Sequence, residues 1–550
     1  MTVVFDDLLP GALRRSWAVD GTCPDLDIYS LYRARQIADP HRTALLDAKG
    51  GLCYTALDRK ARCLAAGLAG LGVRAGDVVG VQLPNSRNAV VADLALAGLG
   101  AVALPFPAGR GGREAASLLG RSQAVAVIAA TEHRGHRHAA DLLALAGELP
   151  ALRHVIAAPT GDAPEGAVPL AALLRADPHA FVPARPHPDS VARVLVSSGS
   201  EAEPKMVAYS HNALAGGRGN FLGSLIPDGR PPRCLFLVPL ASSFGSNGTA
   251  VALARHGGTL VLLDHFTPDG ALAALAAHEP TYVVGVPTMI RMMLDRIAAG
   301  TDLAFTPPTA LLVGGSPLDA ATAEEAQRAF GCPVVNVYGS ADGVNCHTGL
   351  TGESARGDGG PGIAVGRPDP RVADIRVAVP GAGEMRETPG GTPGEIVARG
   401  PMSPLRYVAA PDLDARYRTA DGWVRTGDLG VLDEDGMLRV VGRLKDVVIR
   451  GGQNISPAEV ELQLAAHPGV RDVACTGVPD RLMGERLAAC VVPRAGHDLT
   501  LDELCAHLRE RGLERRKHPE RLLVVDELPL TPAGKPDRAR LRALLVTEAA

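Results

Sequence analysis

The chain has 550 residues, of which 46% are hydrophobic, and its formal net charge is -4 at pH 7. This length permits two or more domains with large buried cores, and the small negative charge gives no sign of a nucleic-acid-binding surface. Nine cysteines are scattered without a CxxC pair, which predicts reduced thiols in a cytoplasm rather than a disulfide framework or a metal site.

The N-terminal half alternates between two kinds of segment. The first residues, 1–7, lack the basic start and apolar core of an export signal, and the apolar stretch 94–106 is too short and glycine-broken to span a bilayer. Amphipathic segments at 57–71 and 90–99 alternate with β-branched or apolar runs at 78–83 and 101–104. We therefore expect α/β layers in a cytoplasmic protein without a membrane segment.

A candidate phosphate-binding loop follows the apolar run 191–196. Ser197, Ser198, Gly199 and Ser200 supply hydroxyls and backbone amides that favour an anion, and Lys205 follows within reach of a phosphate. The run itself predicts a buried strand leading into the loop.

Later segments predict two turns and then a region of short β-strands. Gly314-Gly-Ser-Pro317 follows an apolar run, and 336–343 is a Gly-rich segment with Asp342; taken alone, each also reads as an ordinary turn. Short valine-containing runs broken by glycine and proline between 361 and 400 predict antiparallel β structure. We expect a smaller domain to begin near Gly442.

Together these segments resemble the adenylate-forming superfamily, which comprises acyl-CoA ligases, luciferases and the adenylation domains of peptide synthetases. The resemblance implies an α/β fold whose large N-terminal domain, residues 1–441, has α/β layers and a β subdomain. It also implies a small, mobile α+β domain at 442–550, with Lys445 at the hinge. The expected ligands are coenzyme A and the AMP moiety of an acyl-adenylate.

The resemblance assigns a nucleotide site to residues far apart in the chain. Asp428 is expected to accept hydrogen bonds from both ribose hydroxyls, since a carboxylate has two oxygens suited to a cis-diol. Lys535 is expected to be the adenylation lysine, which reaches the substrate carboxylate and the α-phosphate. The full set of expected nucleotide contacts is Ser198, Gly199, Ser200, Lys205, Gly314, Gly315, Ser316, Pro317, Asn336, Tyr338, Gly339, Ser340, Asp428 and Arg443.

The resemblance also implies sites for coenzyme A and for the acyl group. Gly451 and Gly452 would leave a channel for the pantetheine arm, because a backbone without Cβ atoms is slim, and Arg450 would pair with a CoA phosphate. The acyl pocket is expected at Ser242, Phe244, Gly245 and Gly285. Many small residues in 239–248 predict a roomy pocket for a bulky acid.

The sequence departs from the family pattern on the groups that serve the triphosphate. Glu201 and Ala202 stand where the family has a hydroxyl residue and a glycine, Glu203 adds a second carboxylate to the loop, and Met206 stands where the family has a closing glycine. A charge about 5 Å from a phosphate charge costs roughly 3 kcal/mol at an effective dielectric near 20. Ala341 replaces a phosphate-binding threonine, and Asp342 replaces a longer glutamate that faces Mg²⁺. These changes predict weakened ATP binding.

Three functions remain open from the sequence. The favoured one is a ligase-type enzyme that forms an acyl-CoA thioester from an acyl-adenylate, with adenylation weakened or lost and supplied by a separate adenylating homologue. This pattern is similar to the split-reaction ligases of platensimycin-type diterpenoid biosynthesis, which implies a diterpenoid or aryl acid. The alternatives are a complete ATP-dependent acyl-CoA synthetase and a non-catalytic acyl-adenylate binder. Use of ATP, and of Mg²⁺ at Asp342, stays open between them.

Overall fold

Four β-sheets are formed by the residues that the computed structural model describes, which are 5–158, 162–197, 204–300, 304–351, 362–381, 385–450, 453–480, 482–530 and 536–547. The first sheet has eight strands, in the spatial order Val344–His347, Val334–Ser340, Ala310–Gly314, Tyr282–Gly285, Arg233–Phe236, Thr259–Leu262, Thr43–Asp47 and Gly50–Cys53. The second also has eight, in the order Arg406–Tyr407, Met206–Ser210, Val191–Val196, Val102–Pro105, Val78–Gln82, Ala126–Ala130, His154–Ala158 and Val168–Pro169.

The central strands of both large sheets are parallel, so their carboxyl ends lie at one edge of each sheet. Such edges are where open α/β sheets bind ligands. The α-helices that connect and cover these two sheets are Gly11–Val19, Ile28–Ala38, Tyr54–Gly70, Arg87–Leu99, Gly112–Arg121, His138–Leu145, Leu170–Leu173, Arg218–Gly223, Pro268–His278, Pro287–Ala298 and Ala320–Phe330. π-helical turns occupy Ala213–Gly217 and Gly248–Arg255.

The third and fourth sheets lie later in the chain. The third is antiparallel, in the order Ile363–Gly366, Leu438–Arg443, Val424–Leu432, Gly394–Arg399 and Asp374–Ala378. The fourth consists of Gln453–Ile455, Val448–Arg450, Gly484–Pro493, Val470–Asp480 and Arg521–Val524. Helices Pro411–Tyr417, Pro457–Ala465, Leu501–Glu510 and Arg538–Thr547 accompany them.

The helix Arg87–Leu99 shows how local sequence sets these boundaries. It begins after Ser86, whose hydroxyl accepts a hydrogen bond from the Ala89 N–H at 3.4 Å, and it ends at Gly100, which has a φ of 69°. A serine cap and a left-handed glycine are favoured at these two ends. Ten of its residues are buried, which matches the apolar character of the segment and places it between core layers.

Several expectations from the sequence are confirmed. The alternating segments at 57–71, 78–83, 90–99 and 101–104 fall on a helix, a strand, a helix and a strand, and the region 361–400 contributes antiparallel strands. The expected α/β fold class, with a β subdomain and a later α+β part, is the observed one. Among the described residues, no helix has both the length and the apolar character needed to cross a membrane.

Candidate active site

Two turns of the expected nucleotide site lie side by side because their strands are neighbours. The strand Ala310–Gly314 pairs in parallel with Val334–Ser340, so the segment Gly314–Pro317 and the segment 338–342 leave the same edge of the sheet. A Cβ atom at Gly314 would lie 2.4 Å from the carbonyl oxygen of Val337, so only glycine fits there. Gly315 has a φ of 86°, a conformation that also favours glycine.

The expected ribose ligand Asp428 contacts Tyr338 and Arg443. The Tyr338 hydroxyl donates to its Oδ2 at 2.8 Å, and the Arg443 Nε lies 2.8 Å from its Oδ1. Burial, together with the Asp428 charge, raises the pKa of Tyr338 well above its usual range, and the Asp428 charge raises the pKa of Arg443. The structure therefore brings Tyr338, Asp428 and Arg443 together as a polar cluster with a buried carboxylate.

A second cluster surrounds the loop lysine. The Lys205 ammonium lies 3.8 Å from the centre of the Tyr417 ring and 4.0 Å from Asp342 Oδ1. The same oxygen of Asp342 accepts a hydrogen bond from the Tyr407 hydroxyl at 2.6 Å, while Oδ2 accepts one from Ser340 Oγ at 3.2 Å. A cation over an aromatic face is stabilised by the ring quadrupole. Lys205 is thus held by an aromatic ring and a carboxylate on the protein itself.

Tyr407 and Tyr417 were not expected from the sequence. Tyr407 reaches the site because the strand Arg406–Tyr407 pairs with Met206–Ser210, which follows the loop, and Tyr417 ends the next helix. Burial raises the pKa of the Tyr407 phenol, so it remains a hydrogen-bond donor to Asp342. The sequence signal for these two residues was weak. Aromatic residues make up only 3% of the chain, so two tyrosines in this short segment are unusual.

Met206, which stands where the family has a closing glycine, also contributes to the core. It lies in a strand, pairs with Val196, and is 1% exposed. Its carbonyl accepts a hydrogen bond from the Val408 N–H at 2.7 Å. Its side chain packs in a core cluster, and truncating a buried large side chain costs about 2–5 kcal/mol. Met206 therefore belongs to the fold, and a test of the loop has to leave it in place.

Asp342 fits a magnesium ion poorly in this arrangement. The Lys205 ammonium lies 4.0 Å from Asp342 Oδ1, so a magnesium ion on this oxygen would be repelled by a like charge at close range. Magnesium prefers one or two carboxylates with several waters and phosphates around it. Within the described ranges, no group of three or more His, Cys, Asp or Glu side chains is arranged to hold a metal ion.

The expected acyl segment forms a tight turn. Ser242 Oγ donates to the Pro239 carbonyl at 2.7 Å and accepts from the Gly245 N–H at 3.0 Å. A Cβ atom at Gly245 would lie 1.9 Å from the Pro239 oxygen, so the turn requires glycine. At Gly285 a Cβ atom would lie 3.2 Å from Leu237 Cδ1, which leaves the strand end close to its neighbour. These small residues serve close packing of backbone.

A small cavity lies beside this turn. It has a volume of about 10 Å³ and is lined by side chains that include Phe221, Phe236, Phe244, Val284, Leu312 and Asn247. A cavity of roughly 10–15 Å³ holds about one water molecule. The roomy pocket expected from the sequence is therefore not present at this cavity, because aromatic rings from the surrounding elements fill the space that small backbone residues leave.

Residues of the later part of the chain have partners within the protein. The Arg450 guanidinium, expected to meet CoA, lies 2.7 Å from Glu520 Oε1 and donates to the Arg516 carbonyl at 2.9 Å. Lys445, the expected hinge residue, lies in the short helical turn Leu444–Asp446 and is exposed. Asn336 is buried, and its amide donates to the Ala364 carbonyl at 3.1 Å.

Six expected site residues lie outside the described residues: Ser198, Gly199, Ser200, Gly451, Gly452 and Lys535. Glu201 and Glu203 are also outside them. The assignments of these residues remain predictions from the sequence. The described part of the expected site therefore consists of the nucleotide turns, the two polar clusters and the acyl segment.

Comparison with known proteins finds matches over most of the chain. The sequence profile of the AMP-binding enzyme family matches residues 33–408, and that of the AMP-binding enzyme C-terminal domain matches residues 459–535. Triostin synthetase I of Streptomyces triostinicus is 33% identical over 94% of this chain and 92% of its own length. The medium-chain fatty-acid–CoA ligase of Escherichia coli (strain K12) is 30% identical over 98% of this chain and 94% of its own.

A solved structure extends the likeness to three dimensions. ATP-bound MatB from Rhodopseudomonas palustris superimposes with a TM-score of 0.79 at 27% identity, covering 94% of this chain and 99% of that one. The observed layers, with a large N-terminal part and a small C-terminal part, are those of the adenylate-forming fold.

Proposed function

The chain belongs to the AMP-binding enzyme family as an enzyme of acyl-CoA ligase type, and on that premise we propose that it makes an acyl-CoA thioester from an acyl-adenylate and CoA, with its own ATP-dependent adenylation step weakened. Formation of an acyl-CoA thioester has two half-reactions, which are adenylation of the acid by ATP and transfer of the acyl group to the CoA thiol. The proposal is that the residues of this chain support the second half-reaction better than the first.

The observation that carries the proposal is the position of Lys205. Its ammonium is directed at the Tyr417 ring and the Asp342 carboxylate. To reach a β- or γ-phosphate it has to leave both, and a desolvated cation–π contact alone is worth about 2 kcal/mol. Because Asp342 is meanwhile bound by Tyr407, the cation and the carboxylate that would serve the triphosphate are engaged with each other and with two tyrosines.

The charge of the loop acts in the same direction. The sequence adds Glu201 and Glu203 to the loop that follows the strand Val191–Val196. A triphosphate carries about four negative charges, whereas the adenylate has one phosphate, so repulsion by carboxylates weakens ATP binding far more than adenylate binding. The ribose cluster around Asp428 is unaffected by these substitutions.

The proposed mechanism rests on positioning. The adenylate ribose binds Asp428, while Lys535, assigned from the sequence, faces the acyl carbonyl and its phosphate. The CoA thiolate attacks that carbonyl carbon, the new carbon–sulfur bond forms, and the carbon–oxygen bond of the mixed anhydride breaks as AMP leaves. Holding both reactants in line and excluding water from a hydrolysable intermediate accounts for most of the acceleration.

We propose further that residues 1–441 bind the adenylate and that residues 442–550 form the part that brings in CoA, turning at Lys445. Gly451, Gly452 and Arg450 would line the CoA path, with Arg450 released from Glu520. The acyl-adenylate would come from a separate adenylating homologue in the cytoplasm. The sequence favoured a bulky acid, but the cavity beside the acyl turn has a volume of about 10 Å³, which is the size of one water molecule, so it supports no particular size of acyl group.

A complete ATP-dependent acyl-CoA synthetase is the second candidate. It is favoured by the expected adenylation lysine, Lys535, and by relatives such as the E. coli medium-chain fatty-acid–CoA ligase. In this case MgATP would bind after Lys205 moves from Tyr417 toward the phosphates. The two candidates differ in the affinity for MgATP relative to AMP, which is a measurable ratio.

Restoring the family residues in the loop and at position 342 is expected to improve MgATP binding. The variant Glu201→Thr/Ala202→Gly/Asp342→Glu, with Met206 retained, should bind MgATP at least tenfold more tightly than the parent. The physical reason is the removal of one carboxylate from the loop, worth up to roughly 3 kcal/mol before screening, and a longer acid at 342. Titration calorimetry with MgATP and with AMP gives both affinities.

The matched control is Glu325→Thr, which removes the same charge from an exposed position on the helix Ala320–Phe330. It should leave both affinities at the parent values. An equal gain for AMP and for MgATP in the loop variant, or no gain for either, would contradict the electrostatic explanation.

A further inference from the structure

Arg218, the first residue of the helix Arg218–Gly223, is a buried cation whose partners are all neutral. It is 4% exposed. Its Nη1 donates to the Ser243 carbonyl at 2.8 Å and to Ser246 Oγ at 3.0 Å, and its Nη2 donates to the Tyr209 hydroxyl and to Ser243 Oγ, each at 3.3 Å. In the described part of the chain no carboxylate forms an ion pair with it, and its Nε has no hydrogen-bond partner. Buried charges are normally paired, so this one calls for an explanation.

The neutral partners lower the cost of burying this cation without cancelling its charge. The guanidinium carbon lies 4.8 Å from the centre of the Tyr209 ring, and such a contact with an aromatic face is attractive. Carbonyl and hydroxyl oxygens likewise accept its hydrogen bonds. A full positive charge nevertheless remains in the interior, where screening is weak and its field extends to neighbouring segments.

A chain of hydrogen bonds leads from Arg218 to the expected nucleotide turn. The Tyr209 hydroxyl accepts from Arg218 and donates to the Ala341 carbonyl at 2.9 Å, and the next N–H, that of Asp342, donates to Ser340 Oγ at 3.0 Å. The C=O and N–H of one trans peptide group point in opposite directions, so Tyr209 and Ser340 lie on opposite sides of this peptide. The positive end of the polarised chain therefore faces Ser340, which is an expected nucleotide contact.

Two other cations near this turn have carboxylate partners. The Lys205 ammonium lies 4.0 Å from Asp342 Oδ1, and the Arg418 Nε lies 3.3 Å from Asp414 Oδ1. Each of these pairs contributes little net charge at a distance. The unpaired charge of Arg218 therefore sets a positive potential behind the turn.

We propose that Arg218 is a positioning residue that supplies the counter-charge for the single phosphate of the acyl-adenylate, acting across Tyr209 and the peptide group of Ala341. This inference rests on the proposed function, in which that phosphate lies at the turn 338–342. A cation about 10 Å from a phosphate charge changes a binding constant by roughly tenfold at an effective dielectric near 20. Arg218 would thus support phosphate binding although Ala341 lacks a side-chain hydroxyl.

The test compares two probes that differ by one phosphate charge, adenosine and the ethyl ester of adenosine 5′-phosphate. Calorimetry on the full chain gives both affinities, and their ratio isolates the effect of the charge. Arg218→Met is expected to weaken binding of the ester roughly tenfold and to leave the adenosine affinity within about twofold of the parent. Arg218→Lys, which keeps a positive charge, should keep the ratio within about threefold of the parental value.

A second variant neutralises the cation without removing it. Ser246→Asp places a carboxylate beside Arg218 Nη1, so the ratio should fall in the same direction even where Arg218→Met does not fold. The matched control is Arg233→Met. Arg233 also donates to a backbone carbonyl, that of His278 at 2.8 Å, but it begins its strand and so lies at the opposite edge of the sheet from the nucleotide turns. This control should keep the parental ratio.

The outcomes separate the inference from the proposed function. Thermal unfolding identifies the variants that fold. An unchanged ratio in folded Arg218→Met or in folded Ser246→Asp would overturn the role of Arg218, as would an equal loss for both probes, which is the result expected of an arginine that only holds the fold together. Failure of the parent to bind either probe would overturn the nucleotide site, and with it the proposed function.

Discussion

Asp428→Ala is expected to lower kcat/KM for thioester formation from a preformed acyl-adenylate by roughly 100- to 1000-fold. Each hydrogen bond from a ribose hydroxyl to a charged carboxylate is worth about 1.5–3 kcal/mol, and the alanine removes both acceptors. It also leaves the Tyr338 hydroxyl and the Arg443 guanidinium without the carboxylate that now holds them at 2.8 Å. The loss should appear mainly in the affinity for the adenylate.

The comparison variant is Asp435→Ala, which removes an exposed carboxylate in the turn after the same strand. It should retain full activity. Thermal unfolding of both variants shows whether Asp428→Ala loses binding or loses the fold. A folded Asp428→Ala protein with less than a threefold loss would contradict the assignment of Asp428 to the ribose.

Gly452→Trp is expected to abolish thioester formation while leaving the affinity for an acyl-adenylate analogue within about twofold of the parent. The resemblance places Gly451 and Gly452 along the pantetheine path, where an indole would fill a channel that needs a bare backbone. Gly452 lies outside the described residues, so this expectation comes from the sequence alone. Single-turnover thioester yield and calorimetry with the analogue measure the two effects.

The informative contrast is with Gly452→Ala, whose single methyl should reduce the rate far less than the indole does. If Gly452→Trp produced CoA thioester at the parental rate, the proposed channel would be wrong. If it lost adenylate binding as well, the substitution would have disturbed the first site, and the two sites would not be separable in the way we propose.

Much of the fold was accessible from local sequence. The helix Arg87–Leu99 is signalled by an apolar segment between a serine and a glycine, and the turn after Ala310–Gly314 by a strand followed by Gly-Gly. The motif containing Asp428 pointed to a ribose ligand, and the structure shows its buried carboxylate beside Tyr338 and Arg443. These features depend on residues that are adjacent or a few positions apart.

Features made by distant residues were not accessible. Lys205 meets Tyr407 and Tyr417 about two hundred positions later only because two antiparallel strands pair, and nothing in either segment signals that pairing. Met206 begins a strand next to the loop, and its side chain lies in the same core cluster as Leu405 and Val408, which are about two hundred positions later. The size of the acyl cavity depends on how rings from several elements pack together, which composition of one segment does not determine.

The central claim is that the chain retains thioester formation and has weakened adenylation. The most direct measurement supplies the enzyme and CoA either with MgATP and a panel of bulky and aryl carboxylic acids, or with the corresponding preformed acyl-adenylates, and quantifies the acyl-CoA formed. We expect thioester from the adenylates at least a hundredfold faster than from acid and MgATP. Equal rates from the two mixtures would show a complete synthetase and would contradict the claim.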